Sequence, residues 1–326
     1  PIEGGIAKLW RAASSARGSS RDALPQPLAA HGRMVEHTAA MKTDIDLRIP
    51  VLGPATVESP LGLSTVANDH IADYTPDDAS VVLDLGGGGA GPVFERAGAR
   101  EKLYFAGPQT TAGIVTCGGL CPGMNNVIRG LVMKLRHVYG VRRILGFRYG
   151  YLGLSPEGPP PFELTPDFVA DIHLQGGTAL GSSRGPQPPA VMTDTLVRLG
   201  VDVLFCVGGD GTLRGALALR EEILRRGLRI AIVGVPKTID NDVPFIERTF
   251  GFETAVAEAS RAIAAAHIEA RGAPNGVGIV KLMGRHSGFI AASATLASGE
   301  VNLCLVPELP FELDGPRGVL ALLRER

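Results

Sequence analysis

The sequence predicts an α/β fold: Rossmann-like parallel sheets with flanking helices, arranged in two lobes. Three observations predict it. Short, continuous apolar runs alternate with stretches of helical periodicity, the pattern of a parallel sheet covered on both faces. Glycine-rich turns stand at the ends of those runs, and the chain carries 43 glycines and 45% apolar residues, as tight βα turns and a buried sheet require. At 326 residues the chain exceeds one typical domain, which gives two lobes rather than one.

The elements follow in order. Residues 1–95 form a poorly patterned N-terminal extension with scattered proline and glycine and only short apolar runs. The chain begins at Pro1, and residues 8–33 are rich in Ala, Ser and Arg and poor in acids. That composition suits an organelle transit segment or, the favoured reading, a disordered tail. The string Gly86 to Gly91 satisfies G-x-G-x-x-G, but Pro92 follows at once and the next segment is too short for a βαβ crossover. It reads as a flexible glycine linker. From about residue 100 the pattern is regular. Strands are predicted at 114–117, 144–147, 201–207, 230–235, 277–282 and 301–306. Val127, Ile128, Leu131, Val132, Leu135 and Val138 make one helical face that Gly140 ends. Further helices are predicted from Leu213 to Leu224, over 253–267 with an alanine-rich face, and over 287–297.

Bulk properties exclude several functions. The net charge is −1 and no long basic run occurs, which argues against nucleic acid as the main partner. No stretch of about 18 apolar residues is present, so no membrane span is predicted. Cys117, Cys121, Cys206 and Cys304 read as reduced, small core residues of an intracellular protein. Cys117 and Cys121 have no second ligand pair or nearby His to complete a zinc site, and no neighbouring base activates a thiol.

Four turns carry the chemistry. The first, Gly118-Gly119-Leu120-Cys121-Pro122-Gly123, follows a strand and opens a helix near Asn125. The second joins Gly150-Tyr151-Leu152-Gly153-Leu154 to a later segment, 176–185, that packs glycines, hydroxyls and Arg184 together. Arg184 suits a phosphate or an adenine face, although taken alone the segment also reads as a solvated loop. The third is Gly208-Gly209-Asp210-Gly211-Thr212, between an apolar run and a helix. Such a turn lets phosphate oxygens approach main-chain N–H groups under a helix dipole. Asp210 is placed to hold a hard cation such as Mg²⁺ beside them, or simply to cap the helix. The fourth turn decides between these. In Pro236-Lys237-Thr238-Ile239-Asp240-Asn241-Asp242 two carboxylates stand two residues apart and point the same way in extended chain. One can accept a proton from an attacking hydroxyl while the other orients it. Phosphoryl transfer needs that, plus charge neutralisation. Arg285, in Met283-Gly284-Arg285-His286-Ser287-Gly288, sits at another strand end on the same rim. His286 reads as structural.

Together GGLCPGMNNVIR, GYLGL, GGTALGSSRG, GGDGTLRGA, PKTIDND and MGRHSG, in this order, resemble the 6-phosphofructokinase family, in particular a plant- and trypanosome-like branch of ATP users. The resemblance runs from about residue 94 to 311. It implies transfer of the ATP γ-phosphoryl group to the 1-hydroxyl of fructose 6-phosphate. It implies an ATP site of Gly118, Tyr151, Arg184, Gly185, Gly209, Asp210, Gly211 and Thr212, with Gly215 close by, and Asp210 as the Mg²⁺ carboxylate. Thr238, Ile239, Asp240, Met283, Gly284 and Arg285 are implied for the sugar phosphate. The implied catalytic set is Asp240 as proton acceptor, Asp242 in support, Thr238, and Arg285 on the transferring group.

Donor choice turns on two residues. Pyrophosphate users resemble GGDD, so Gly211 favours ATP. Lys237, implied as a donor-phosphate contact, is typical of pyrophosphate users, but it also occurs in the ATP-using branch. The reading is ATP, with pyrophosphate second and a non-catalytic sugar-phosphate- or nucleotide-binding subunit third. The resemblance also implies a dimer or tetramer in the cytoplasm. Two departures stand out. Gly276 occupies a position where many bacterial-type members carry Arg. The chain also stops at Arg326, before the family's later segments. The resulting organisation is an extension over 1–95, a nucleotide-binding α/β lobe over 96–254, and the start of a truncated sugar-phosphate lobe over 255–326.

Overall fold

The computed structural model describes residues 47, 49–66, 69–82, 93–243 and 246–326. The candidate transit segment and the Gly86–Gly91 string lie outside the described residues. Contacts divide the chain into two units, residues 1–51 with 64–100, and residues 52–63 with 101–326.

The smaller unit contains an antiparallel pair, β2 (Ser80–Val82) with β3 (Val93–Glu95). The Arg100 guanidinium gathers the unit by donating to the carbonyls of Thr75, Pro76 and Arg96 and to Glu95.

The larger unit opens with β1 (Val57–Glu58), antiparallel to β4 (Lys102–Leu103). Its main sheet contains β5 (Thr111–Thr116), β6 (Arg143–Phe147), β7 (Phe162–Glu163), β8 (Val203–Gly208) and β9 (Ala231–Pro236). The order is β7-β6-β5-β8-β9, parallel except for β7 at the edge. The chain leaves β5 to build β6 on one side and later places β8 on the other. The crevice beyond the carboxyl ends of β5 and β8 is therefore the switch point where ligands bind such sheets.

Every residue of β5 is buried, because helices cover both faces. Helix α1 (Met124–Met133) continues as a π-helical turn over Lys134–Val138. Its Ile128 and Val132 pack with Ala112, Ile114 and Ile144 on one face. Helices α3 (Pro189–Leu199) and α4 (Asp210–Arg225) place Met192, Leu196, Ala216, Leu219 and Ile223 on the other, against Val115, Leu145, Phe147, Leu204 and Cys206. Alternate residues of each strand thus serve opposite cores, the period of two that a pleated strand imposes. A short helix, α2 (Pro166–Val169), is capped by the Thr165 hydroxyl, which accepts from Phe168 N.

Four of the six predicted strands are present. The other two, 277–282 and 301–306, run without ladder partners, and this corrects the sequence reading. A strand is made by its neighbours, and among the described residues none supplies the N–H and C=O groups these segments would need. Ile279 is 87% exposed and Val277 58%. The segments instead support the helix pair α5 (Phe252–Gly272) and α6 (Phe289–Ser298) through Val280, Leu282 and Val301. A final helix, α7, spans Val319–Glu325.

Candidate active site

The strand ends bring three of the predicted turns to one rim, in the order β5, β8, β9. After β5, Gly118 takes a left-handed φ of 82°, which glycine alone adopts without strain. Its N–H donates to Ser183 O at 3.1 Å and its carbonyl accepts the Ser182 hydroxyl at 2.5 Å. The loop after β5 is therefore stitched to segment 176–184. Between them lies an open cleft of about 720 Å³ walled by Gly118, Gly119, Gly177, Thr178, Ser182 and Arg184. Its walls offer main-chain groups, two kinds of hydroxyl and one guanidinium, a set suited to an anionic ligand.

Asn125 fastens that wall. Buried to 3% exposure, it donates through Nδ2 to Gln175 O at 3.0 Å and accepts Ala179 N on Oδ1 at 2.7 Å. Thr116 adds bonds to Thr178 and to Gly181 O. These positioning groups escaped the sequence reading. The only signal was a polar residue at the first turn of an apolar helix.

After β8, Gly209 caps α4 and its carbonyl accepts Thr212 N and Leu213 N. Asp210 is the first residue of that helix and lies 3.6 Å from Arg214, with both side chains exposed. A carboxylate at a helix N-terminus is favoured by the dipole. It suits Mg²⁺, which keeps waters and takes its other oxygens from substrate phosphates. Among the described residues no group of three or more His, Cys, Asp or Glu is placed to hold a metal ion. Gly211 has nothing within 4 Å of the position a side chain would take.

Tyr151 and Gly215 lie deeper than the rim. Tyr151 is 5% exposed, and its hydroxyl donates to Thr212 O at 2.6 Å inside the first turn of α4. A Cβ at Gly215 would meet the Tyr151 ring at 2.6 Å. In this arrangement the pair seats α4 on the sheet. Gly185 has a left-handed φ of 118° and open space around it.

After β9, Lys237 is 6% exposed, and its Nζ donates to Gly119 O at 2.6 Å. Burial lowers its pKa from the usual lysine value. The Thr238 hydroxyl donates to Asp242 Oδ1 at 2.7 Å and accepts Asp240 N at 3.1 Å. Ile239 turns the other way, into the α5–α6 core. Asn241, at a left-handed φ of 56°, accepts Thr249 N and donates to Glu247 O. It latches the aspartate turn to the segment leading into α5.

Asp240 is the group with the most distinct surroundings. Its Oδ1 is buried and has no hydrogen-bond partner. Burial, reinforced by the Asp242 charge, raises its pKa above the ordinary carboxylate value, while the backbone N–H of Arg285, Lys237 and the Arg285 charge oppose the rise. The Ser287 hydroxyl donates to Asp240 O at 2.8 Å, so the turn before α6 is tied to the aspartate turn. Met283 and Arg285 are exposed on that turn. Gly284, φ 108°, leaves no room for a Cβ, which would lie 2.1 Å from Ser287 O. Glu308 accepts Gly288 N at 2.8 Å and caps α6, a role the sequence reading did not assign.

The geometry can be set beside known proteins. The phosphofructokinase family profile matches residues 111–325. The ATP-dependent 6-phosphofructokinase of Borreliella burgdorferi is 47% identical over 290 residues, which cover 87% of this chain and 65% of that protein. That of Trypanosoma brucei brucei is 56% identical over 233 residues, 71% of this chain and 47% of that protein. Among solved structures, Pichia pastoris phosphofructokinase in the T-state aligns with a TM-score of 0.55 and 25% identity, over 66% of this chain and 24% of that one. This chain therefore spans 47% to 65% of the length of these two curated relatives.

Proposed function

The chain belongs to the phosphofructokinase family, and on that premise we propose that it acts as an ATP-dependent 6-phosphofructokinase of glycolysis. The observation that supports this best is the Asp240 carboxylate, whose pKa is raised by burial and by Asp242 and which stands beside Arg285. A carboxylate with a raised pKa beside a guanidinium suits a general base. The fructose 6-phosphate 1-hydroxyl would donate there, lose its proton to Asp240 and attack the γ-phosphorus in line. The bond to the bridging oxygen would break and ADP would leave.

Each residue has a part in this reading. Asp242 holds Thr238, and Thr238 in turn fixes the Asp240 backbone. Arg285 neutralises charge on the transferring group, and Met283, Gly284, Thr238 and Ile239 shape the acceptor side. On the donor side, Gly118, Gly209, Gly211, Thr212 and Gly185 leave main-chain approach to the phosphates, and Arg184 meets them from the cleft wall. Tyr151 and Gly215 support that side by seating α4. Asp210 would hold Mg²⁺, which when bound would supply charge neutralisation beside the donor phosphates. The nucleotide-binding lobe extends over 96–254 and the sugar-phosphate-binding lobe begins at 255. We also assign the protein to the cytoplasm and to a homo-oligomer, dimer or tetramer.

The test is formation of fructose 1,6-bisphosphate from fructose 6-phosphate and Mg²⁺, with ATP and pyrophosphate in parallel. Turnover with ATP alone supports the reading. The presence of Lys237 favours a second reading, pyrophosphate as donor, and turnover with pyrophosphate alone would establish it. Absence of both activities, with ATP still bound, would leave a binding subunit.

A further inference from the structure

In extended chain Asp240 and Asp242 would lie on one side, yet the folded turn gives them different surroundings. Asp242 is exposed and accepts the Thr238 hydroxyl at 2.7 Å. Asp240 is half-buried, with Oδ1 buried, and stands beside Arg285. Between them Asn241 has a φ of 56°, a left-handed backbone that reverses the chain and cancels the alternation of a strand. We propose that Asn241 is a positioning residue: by holding that left-handed turn it separates the two carboxylates and directs Asp240 toward the acceptor side.

The residue type and its contacts both suit that part. Most side chains avoid a left-handed backbone because Cβ crowds the following carbonyl, whereas asparagine and glycine tolerate it. The Asn241 side chain also fixes the turn. Its Oδ1 accepts Thr249 N at 2.8 Å, and its Nδ2 donates to Glu247 O at 3.1 Å. An ionised aspartate could make only the first of these bonds. The anchor beyond Thr249 is firm. Thr249 is buried, the next carbonyl, Phe250 O, accepts the Cys121 thiol at 3.1 Å, and a Cβ on Gly123 would meet the Phe250 ring at 3.2 Å. Cys121 and Gly123 belong to the first glycine turn, so Asn241 ties the aspartate turn to the loop that walls the donor cleft. On the other side of Asp240, Ile239 packs into the α5–α6 core and the Ser287 hydroxyl donates to Asp240 O. The Asp240 backbone is thus held from both directions. Asn241 acts here only through Asp240, so the assignment rests on the phosphofructokinase reading, which it deepens.

The test compares the unsubstituted chain with Asn241→Gly and Asn241→Ala, by ligand-free crystal structures and by kinetics on the same preparations. Glycine keeps the left-handed turn and loses the two side-chain bonds, and alanine loses both. The expected glycine variant keeps Asp240 beside Arg285, with kcat within about threefold of the unsubstituted value. The expected alanine variant has residue 241 at negative φ, the Thr238–Asp242 bond broken and Asp240 turned away from Arg285. Its kcat falls about a hundredfold while the KM for ATP stays within about twofold. An alanine structure with Asp240 in its original place would overturn the proposal, and so would an alanine kcat no lower than that of the glycine variant. Should Asn241→Ala not fold, Asn241→Ser takes its place and is read in the same way. The structures need no substrate, so they stand apart from the function test. Failure of the phosphofructokinase reading would show as absent turnover in the unsubstituted protein, with the displacement of Asp240 still seen in the alanine structure.

Discussion

Asp240 combines a buried, unpartnered carboxylate oxygen with a pKa raised first by burial and then by Asp242. A group whose pKa is raised on folding stabilises the fold while protonated. That contribution is complete below the unfolded value of 3.8 and is lost as pH rises through the higher folded value. At neutral pH the ionised Asp240 is therefore a liability to the fold. Asp240→Asn should raise Tm at pH 7 and leave it nearly unchanged at pH 3, while turnover falls by about 10²- to 10⁴-fold. A lower Tm at pH 7 would show that the carboxylate is stabilised there. The same shift predicts that log kcat/KM falls on the acid side at a pH above the ordinary carboxylate value. Gly211 gives the second prediction at this scale. The space beside it is open and it lies in the first turn of α4, where an acid is favoured. Gly211→Asp should fold with unchanged stability, raise the KM for ATP and improve use of pyrophosphate. A drop in Tm would contradict the open geometry.

At the scale of elements, the rim is held by contacts between segments remote in sequence. Asn125 joins the start of α1 to the cleft wall through two buried bonds. Asn125→Ala leaves Gln175 O and Ala179 N unpaired and should cost about 2–4 kcal/mol by denaturant unfolding. It should also raise the KM for ATP, since the wall carrying Arg184 is freed. The seat of α4 behaves in the same way. A methyl group at Gly215 would meet the Tyr151 ring at 2.6 Å, and overpacking of that kind costs about 1–3 kcal/mol. Gly215→Ala should unfold earlier by that amount, and Tyr151→Leu in the same chain should recover part of the loss.

At the scale of the whole molecule, the cysteines report how tightly the chain is packed. Burial raises the Cys206 thiol to about 12 and the Cys117 and Cys121 thiols to about 11. Cys304 is only partly buried. A disulfide exchange reagent at pH 8 should titrate one thiol in the native protein and four in denaturant. Rapid reaction of more than one native thiol would mean that the sheet opens. The proposed homo-oligomer is checked by light scattering, which should return two or four times 34.1 kDa. Among the described residues no helix is long and apolar enough to cross a membrane.

The sequence alone determined the elements whose signal is local. The apolar runs that became β5, β6 and β8 are legible because a strand covered on both faces must be apolar at nearly every position, and β9, at the edge, keeps the same apolar run. The glycine turns after β5 and β8, with Asp210, and the aspartate turn after β9 are legible because a run of apolar residues followed by glycine or by closely spaced acids marks the end of a buried strand. Helix α3 was legible too, from Val191, Met192, Thr195, Leu196 and Leu199 at helical spacing, although the reading passed over it. The tertiary structure decided everything that depends on which distant group arrives alongside. It left residues 277–282 and 301–306 without strand partners, because a ladder needs a second chain segment. It put Tyr151 beneath Gly215 and turned Lys237 toward Gly119, because burial and hydrogen-bond partners are properties of packing. It left Asp240 Oδ1 unpaired for the same reason: only the folded chain settles which buried polar atoms find a partner.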